Sequence, residues 1–283
     1  MSECNHDCEN CEEVCDEECG HDCSNCDKDC NHKIEKAVPL ADTKIKKIIG
    51  VLSGKGGVGK SLVSSMLAIE LTRQGYKVGI MDADITGPSI QKVFGLNEQL
   101  VGDETGIFPL ETKLGIKAVS VNMMLQTEDT PVLWRGPIIG GMVTQFYSEV
   151  HWGELDYLII DMPPGTSDVA LSVLQQIPVD GLVMVTSPSK LVGMIVGKTI
   201  NLASQVNTKV VGLVENMAYI KCPKCGEKIV MYRNDDTETI AKKYNLKVLS
   251  CVPMDAELSN LTDEGEIEQY TGDYLKDTVK ELV

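Results

Sequence analysis

Residues 45–61 run Ile45-Lys46-Lys47-Ile48-Ile49-Gly50-Val51-Leu52-Ser53-Gly54-Lys55-Gly56-Gly57-Val58-Gly59-Lys60-Ser61. The first nine are mostly aliphatic and predict a buried strand. Residues 61–73 carry Leu62, Met66, Leu67 and Ile69 at helical spacing and predict a helix. The join between them satisfies G-x-x-x-x-G-K-S. Gly54, Gly56, Gly57 and Gly59 let the backbone N–H groups of this loop, that of Val58 included, converge on phosphate oxygens. The helix start adds partial positive charge, Lys60 can reach terminal phosphates, and the Ser61 hydroxyl can hold Mg²⁺. The same stretch also fits G-x-G-x-x-G, the dinucleotide fingerprint, with Asp82 as a candidate ribose-binding acid. Lys60-Ser61 favours a nucleoside triphosphate, because an apolar-facing helix has no reason to open on a bare lysine unless phosphate meets it.

Outward from the loop, apolar runs predict strands at 77–81, 116–121, 157–160, 181–186, 209–214 and 246–252. Helical patterns fall at 137–150, 167–176, 191–203, 237–244 and 274–282. This alternation predicts an α/β fold, a mostly parallel sheet flanked by helices, with its binding site beyond the carboxyl ends of the strands. Asp82-Ala83-Asp84 ends one strand there, and Asp161 ends another before Met162-Pro163-Pro164-Gly165-Thr166. Asp82 and Asp161 are candidate carboxylates for Mg²⁺, with Ser61 as the third oxygen ligand. Asp84 is a candidate for orienting an attacking water, and the Gly165 N–H for approaching a γ-phosphate. The plainer role for each acid is to cap the following turn.

Gly54-Lys55-Gly56-Gly57-Val58-Gly59-Lys60-Ser61 resembles the deviant phosphate loop of dimeric ATPases such as MinD, ParA and nitrogenase iron protein. That resemblance implies that Lys55 reaches the nucleotide of a partner subunit and so counts, with Lys60, among the catalytic residues. A narrower likeness rests on Asp82-Ala83-Asp84-Ile85-Thr86-Gly87-Pro88-Ser89, Trp134-Arg135-Gly136-Pro137, Asp161-Met162-Pro163-Pro164-Gly165-Thr166-Ser167-Asp168, Glu215-Asn216-Met217 and Cys222-Pro223-Lys224-Cys225-Gly226. Over about 44–283 these motifs resemble the Mrp/ApbC/Nbp-type iron–sulfur cluster carrier ATPases. The likeness implies a cytoplasmic homodimer with one ATP per subunit, Asn216 reading the adenine ring, and Met217 with the Cys251–Met254 turn, Pro253 included, flanking it. It also implies a labile [4Fe-4S] cluster bridged between subunits by Cys222 and Cys225, with apo iron–sulfur proteins as clients. Half of a zinc knuckle is the competing reading of C-P-x-C-G. Cys251, alone at a strand end, reads as a buried core thiol. Where relatives carry Thr-Pro-Gln, this chain has Ser187-Pro188-Ser189-Lys190.

Residues 1–36 differ from everything that follows. They hold twelve acids and three lysines, with Val14 and Ile34 as the only aliphatic side chains of any size. Such a segment has no apolar core. Its cysteines, Cys4, Cys8, Cys11, Cys15, Cys19, Cys23, Cys26 and Cys30, form two C-x3-C-x2-C-x3-C units 15 residues apart. Four thiolates are the ligand count of a zinc site or an iron–sulfur cluster. The expectation is a tail (1–36) disordered when empty and compact when loaded, a linker (37–43), and an ATPase domain (44–283). A disulfide knot and a metal-free redox-sensitive arm are the alternatives.

The whole chain has 283 residues and a formal charge of −16. That balance argues against nucleic acid as a partner. No run of 18 apolar residues occurs to span a membrane, and no secretory signal pattern opens the chain. Two rival functions are a positioning ATPase on membrane or DNA and an ATP-dependent reductase. The first wants a basic amphipathic terminal helix, whereas Lys276 and Lys280 here face Asp273, Asp277 and Glu281. The second, in the nitrogenase type, uses cysteines far apart in sequence.

Overall fold

The computed structural model of the chain describes residues 36–84, 87–124, 136–188, 192–222, 224–230 and 237–283, with backbone alone at 136–139 and 192–195. The eight tail cysteines, Ile85-Thr86, Trp134-Arg135, Ser189, Lys190 and Pro223 lie outside the described residues. Lys36–Val283 forms one compact unit.

Strand β1 (Lys44–Ser53) passes through the glycine loop into α1 (Lys60–Arg73), and β2 (Val78–Asp82) follows. Next come α2 (Ile90–Val93), a hairpin of β3 (Val101–Asp103) and β4 (Gly106–Phe108), then β5 (Leu110–Glu111) and β6 (Lys117–Val119). The alternation resumes with α3 (Gly136–Ser148), β7 (Glu154–Asp161), α4 (Asp168–Gln176), β8 (Gly181–Thr186), α5 (Val192–Gln205) and β9 (Val210–Glu215). A small hairpin of β10 (Ile220–Lys221) and β11 (Lys228–Ile229) leads to α6 (Thr237–Lys243), β12 (Val248–Cys251), α7 (Ala256–Asp263) and α8 (Lys276–Leu282).

The main sheet has the order β12-β9-β8-β1-β7-β2-β6-β5. Every pairing in it is parallel except β5 with β6. Side chains of β1 alternate between two cores: Ile49 and Val51 pack on one face with α1, and Ile48 and Leu52 on the other with Val143, Phe146, Val173 and Leu174. The sheet is therefore covered on both sides, which is why its strands read as unbroken apolar runs. Because the strands are parallel, their carboxyl ends share one rim. Across it lie, in sheet order, Cys251, Glu215, Thr186, Ser53, Asp161, Asp82 and Val119.

Several boundaries differ from the periodicity. The strand expected at 116–121 stops at Val119, and Val121–Met124 is a 3-10 turn. The helix expected to reach 150 ends at Ser148, and Val150 instead bridges Ile107. Residues 36–43 are fastened to the body. Lys36 Nζ donates to the Leu174 and Ile177 carbonyls at 2.8 and 3.0 Å, satisfying the carboxyl end of α4. Ala37 N–H donates to Gln176 at 2.7 Å, and Asp42 pairs with His151 Nδ1 at 2.8 Å. This segment lies at the amino ends of the strands, opposite the rim: it runs directly into β1, whose Lys44 N–H donates to the Gly153 carbonyl at 2.8 Å.

Candidate functional site

Helix α1 begins on Gly59, which is left-handed at φ 79° and supplies no side-chain cap. The first internal bond runs from Val63 N–H to the Gly59 carbonyl. The amides before Val63 thus lack an α-helical acceptor, as an anion-binding helix start requires. Gly57 also has positive φ, 78°. A Cβ at Gly59 would fall on Asn216 Nδ2, so glycine is needed there for space as well as for φ.

The basic and acidic groups of the loop meet at Asp161. Lys60 Nζ lies 2.7 Å from Asp161 Oδ1 and 3.6 Å from Asp84 Oδ2. Ser61 Oγ donates to Asp161 Oδ2 at 2.5 Å, and Ser64 Oγ donates to Oδ1 at 2.7 Å. Asp161 is fully buried, and a buried carboxylate is tolerable only with such partners. Ser64 was not singled out from the sequence. Its signal was the hydroxyl run Ser61, Ser64, Ser65 on an otherwise apolar helix.

Asp82 is bound differently. Its Oδ1 accepts the Asp84 N–H at 3.1 Å, and Oδ2 accepts the Ser89 and Ile90 N–H groups and the Ser120 hydroxyl at 3.0–3.2 Å. It therefore orders the turn into α2. Burial first, then the charge of neighbouring Asp161, pushes its pKa up to about 7, against the opposing pull of Lys60 and those amides. Gly165, at φ 77°, donates its N–H to the Ser53 carbonyl at 2.7 Å. Lys55 is half-buried, and its carbonyl accepts from Ser53 Oγ at 3.0 Å.

Asn216 follows β9 and reaches across to the phosphate loop. Its Nδ2 donates to the Val58 carbonyl at 2.9 Å, and its Oδ1 accepts the N–H of Met217, which sits at φ 57°. From Met217 the chain climbs into the β10–β11 hairpin. Cys222 and Cys225 occupy its tip, Cys222 partly buried and Cys225 exposed. Gly226 turns the tip at φ 74°, donating its N–H to the Cys222 carbonyl at 2.9 Å. Hydrogen bonds from the Cys225 and Lys224 N–H groups and from the Cys225 thiol hold the Cys222 thiol below its ordinary range, which favours the thiolate that binds metal. Among the described residues no group of three or more His, Cys, Asp or Glu side chains is placed to hold a metal ion. Cys251 is exposed at the end of β12, where the sequence suggested a core thiol. It is the last residue of β12, at the rim and past the buried Leu249 and Ser250. Pro253 beside it is buried.

One hub that sequence reading missed steadies the hairpin. Asp255 caps α7 through the Glu257 and Leu258 N–H groups and accepts the Tyr270 and Tyr274 hydroxyls at 2.8 and 3.0 Å. Lys221, next to Cys222, donates to Tyr274 Oη at 2.9 Å. Burial works against the Asp255 charge, but the Tyr270, Leu258, Tyr274 and Glu257 donors outweigh it and hold the carboxyl below its usual range. Its stabilising contribution is therefore present above the ordinary carboxylate pKa and lost as pH falls through the lowered folded value. Asp255→Ala is expected to cost about 1–2 kcal/mol in urea denaturation at pH 7. The gap between wild type and Asp255→Asn should close below about pH 4. A pH-independent gap would remove the charge from this account.

A phosphate loop at the switch point of such a sheet defines a P-loop NTPase of the MinD/ParA fold. A nucleotide-binding protein from Archaeoglobus fulgidus, solved with ADP, superposes at TM-score 0.74 with 42% identity, covering 82% of this chain and 91% of that one. MinD from Pyrococcus furiosus shares the fold at TM-score 0.59 and 20% identity, covering 83% of this chain and 96% of its own. The chain belongs to the NUBPL iron-transfer P-loop NTPases, whose ParA-class family model matches residues 44–283. An iron–sulfur cluster carrier protein from Clostridium perfringens is 44% identical over 81% of this chain and 83% of its own length. A homologue in Dictyostelium discoideum of the cytosolic Fe–S cluster assembly factor NUBP2 is 43% identical over 78% of this chain and 86% of its own. No helix among the described residues is long and apolar enough to cross a membrane.

Proposed function

We propose that this chain is a cytoplasmic, homodimeric ATPase that holds a [4Fe-4S] cluster between the Cys222–Cys225 hairpins of two copies and hands it to apo iron–sulfur proteins. The observation that carries the reading is one sheet rim bearing both a phosphate loop and a two-cysteine hairpin tip, Cys225 exposed and Cys222 partly so, joined through Asn216. Two thiolates are half of a cubane's ligands, and a two-fold axis supplies the rest. Exposed Ile229 and Met254 both pair with Ile220 at the foot of that hairpin, with exposed Val230 following, which suits a covered face.

Ser61 and Asp161 offer adjacent hard oxygens, the donor chemistry Mg²⁺ takes. Bound Mg²⁺ would offset phosphate charge. Asp82, beside Asp161 and engaged by four donors, is the further carboxylate of this oxygen cluster, and its raised pKa means that bound Mg²⁺ would favour its charged form. Lys60 shifts from Asp161 and Asp84 to the terminal phosphates, and Asp84 orients the attacking water. The Gly54–Ser61 amides and Gly165 line the phosphates, while Asn216, Met217 and Pro253 flank the base. Lys55 crosses to the partner's nucleotide. The acidic cysteine tail (1–36) is a second metal-binding arm. The likeness to a cytosolic relative supports the compartment.

The test is anaerobic transfer of a reconstituted cluster to apo-aconitase, read by return of aconitase activity. Wild type should transfer, faster with ATP. Lys55→Ala and Lys60→Ala should each lose the ATP-dependent part. A mixed dimer of the two keeps one site with both lysines intact if Lys55 acts across the interface, so activity should return. No return on mixing would place Lys55 in its own subunit. No transfer by wild type would sink the carrier reading.

A further inference from the structure

Helix α1 carries two adjacent serines with no exposure, Ser64 and Ser65, among apolar neighbours such as Val63, Leu67 and Leu71. A buried hydroxyl must find an acceptor, and alanine would be the better helix former at either place. Ser65 does what a helical serine ordinarily does. Its Oγ donates back to the Ser61 carbonyl at 2.9 Å. Ser64 has the same choice at the Lys60 carbonyl, 3.1 Å away, but its shorter contact is to Asp161 Oδ1 on β7, at 2.7 Å. The hydroxyl has one proton, and neither acceptor has one to give. The nearer, charged oxygen takes it. Ser64 is therefore tied to the acid at the end of β7, whereas Ser65 is tied within its own helix.

The two oxygens of Asp161 are engaged unequally. Oδ1 is shared by Ser64 and Lys60 Nζ, each at 2.7 Å, while Oδ2 accepts from Ser61. Asp82 stands opposite Asp161 in the β2–β7 pairing, and both acids are buried. Resting on the reading of this loop as an ATP and Mg²⁺ site, we propose that Ser64 is a positioning residue that keeps hold of Asp161 Oδ1 when Lys60 leaves for phosphate, so that Oδ2, on the Ser61 side, stays turned to the metal. Phosphate draws Lys60 away, but Ser64 stays, because its hydroxyl is fixed on the first turn of a buried helix. Without it, Oδ1 is bare in a poor dielectric once Lys60 departs. The carboxylate then turns to regain a donor, and Oδ2 turns with it. That turn matters only when a metal is there to be faced, so the loss falls on the contribution of Mg²⁺ to nucleotide binding. Ser64 touches neither nucleotide nor metal in this scheme.

The experiment uses the full-length, metal-free protein, purified anaerobically. The Kd of a non-hydrolysable ATP analogue is measured by calorimetry in excess Mg²⁺ and again in EDTA, and the ratio of the two is the gain due to the metal. Wild type should bind more tightly with Mg²⁺. Ser64→Ala should cut that gain about tenfold, the effect of losing one hydrogen bond to a charged group. Ser64→Thr, which keeps the hydroxyl, should restore it, and Ser65→Ala should keep the wild-type ratio. If Ser64→Ala does not fold, Ser64→Cys decides, since a thiol of nearly the same shape donates more weakly and should lower the ratio. A wild-type ratio in Ser64→Ala, or in Ser64→Cys where it decides, overturns the proposal. An equal fall in Ser65→Ala also overturns it, because the effect would then belong to the helix and not to Asp161. The two readings fail differently. A wild-type protein that does not bind the analogue, or binds it equally with and without Mg²⁺, sinks the ATP and Mg²⁺ reading and this proposal with it. A metal gain that is the same in wild type and Ser64→Ala removes only the positioning role.

Discussion

Lys60→Ala should abolish the stabilisation that ATP confers and weaken the empty protein as well. Wild type in ATP at one hundred times its Kd should gain about 2.7 kcal/mol against unfolding, and the variant should gain almost none. The second effect follows from burial. Lys60 Nζ is 2.7 Å from Asp161, a side chain with no exposure, and near Asp84. Removing the cation leaves a cluster of acids facing each other in a poor dielectric, a loss of about 3–5 kcal/mol by analogy with other broken buried pairs. The remaining Ser61 and Ser64 donors place the expected cost at the lower end. Urea denaturation with and without ATP and Mg²⁺ measures both. Lys55→Ala is the control, because Lys55 is half-buried and takes no part in that ion cluster. A wild-type ATP shift in Lys60→Ala would show that ATP binding does not depend on this loop lysine.

The fold was legible because a doubly covered parallel sheet writes itself as apolar runs. Val51, Leu52, Ile159, Ile160, Val183 and Met184 are all fully buried, so each strand stands out without alternation. The phosphate loop was legible because its glycines are chemical necessities, as the positive φ of Gly57 and Gly59 shows. Short elements were not legible. Two-residue strands such as β10 and β11 have no period, and β3–β4, a two-stranded sheet of its own, is set by its turn residues. The hydrogen-bond network was the least legible part. Ser64, Ser120, Glu215, Thr237 and Asp255 act through partners 15 to 97 residues away, and no local pattern encodes a distant acceptor. Asp82 is the instructive case. A strand-end acid reads equally well as a metal ligand or a turn cap, and only its four donors reveal how much of it is spent on the turn.

Cys222→Ala, in a full-length chain whose eight tail cysteines are replaced by serine, should lose cluster binding outright. With the tail thiols silenced, the described residues offer Cys222, Cys225 and Cys251, and no third ligand gathers with the first two. Anaerobic reconstitution of the chain bearing only the serine changes should then give about four irons per two chains. Cys222→Ala should bring that near zero and leave ATP affinity unchanged, because Cys222 lies on the hairpin tip and the phosphate loop holds its own bonds. Cys225→Ala should do the same, and it also removes the thiol donor, though not the backbone ones, that favours the Cys222 thiolate. A full four-iron absorption and Mössbauer signal in Cys222→Ala would rule out the bridged cluster. Restoring the tail cysteines in the Cys222→Ala chain then isolates the arm. Iron that returns belongs to the two C-x3-C-x2-C-x3-C units. Twelve acids around those thiols resist thiolate formation until a cation is present, so binding there should steepen with pH. The hairpin, whose Cys222 thiol is already held low, should load at a lower pH than the arm, and that order in a pH series distinguishes the two sites without removing either.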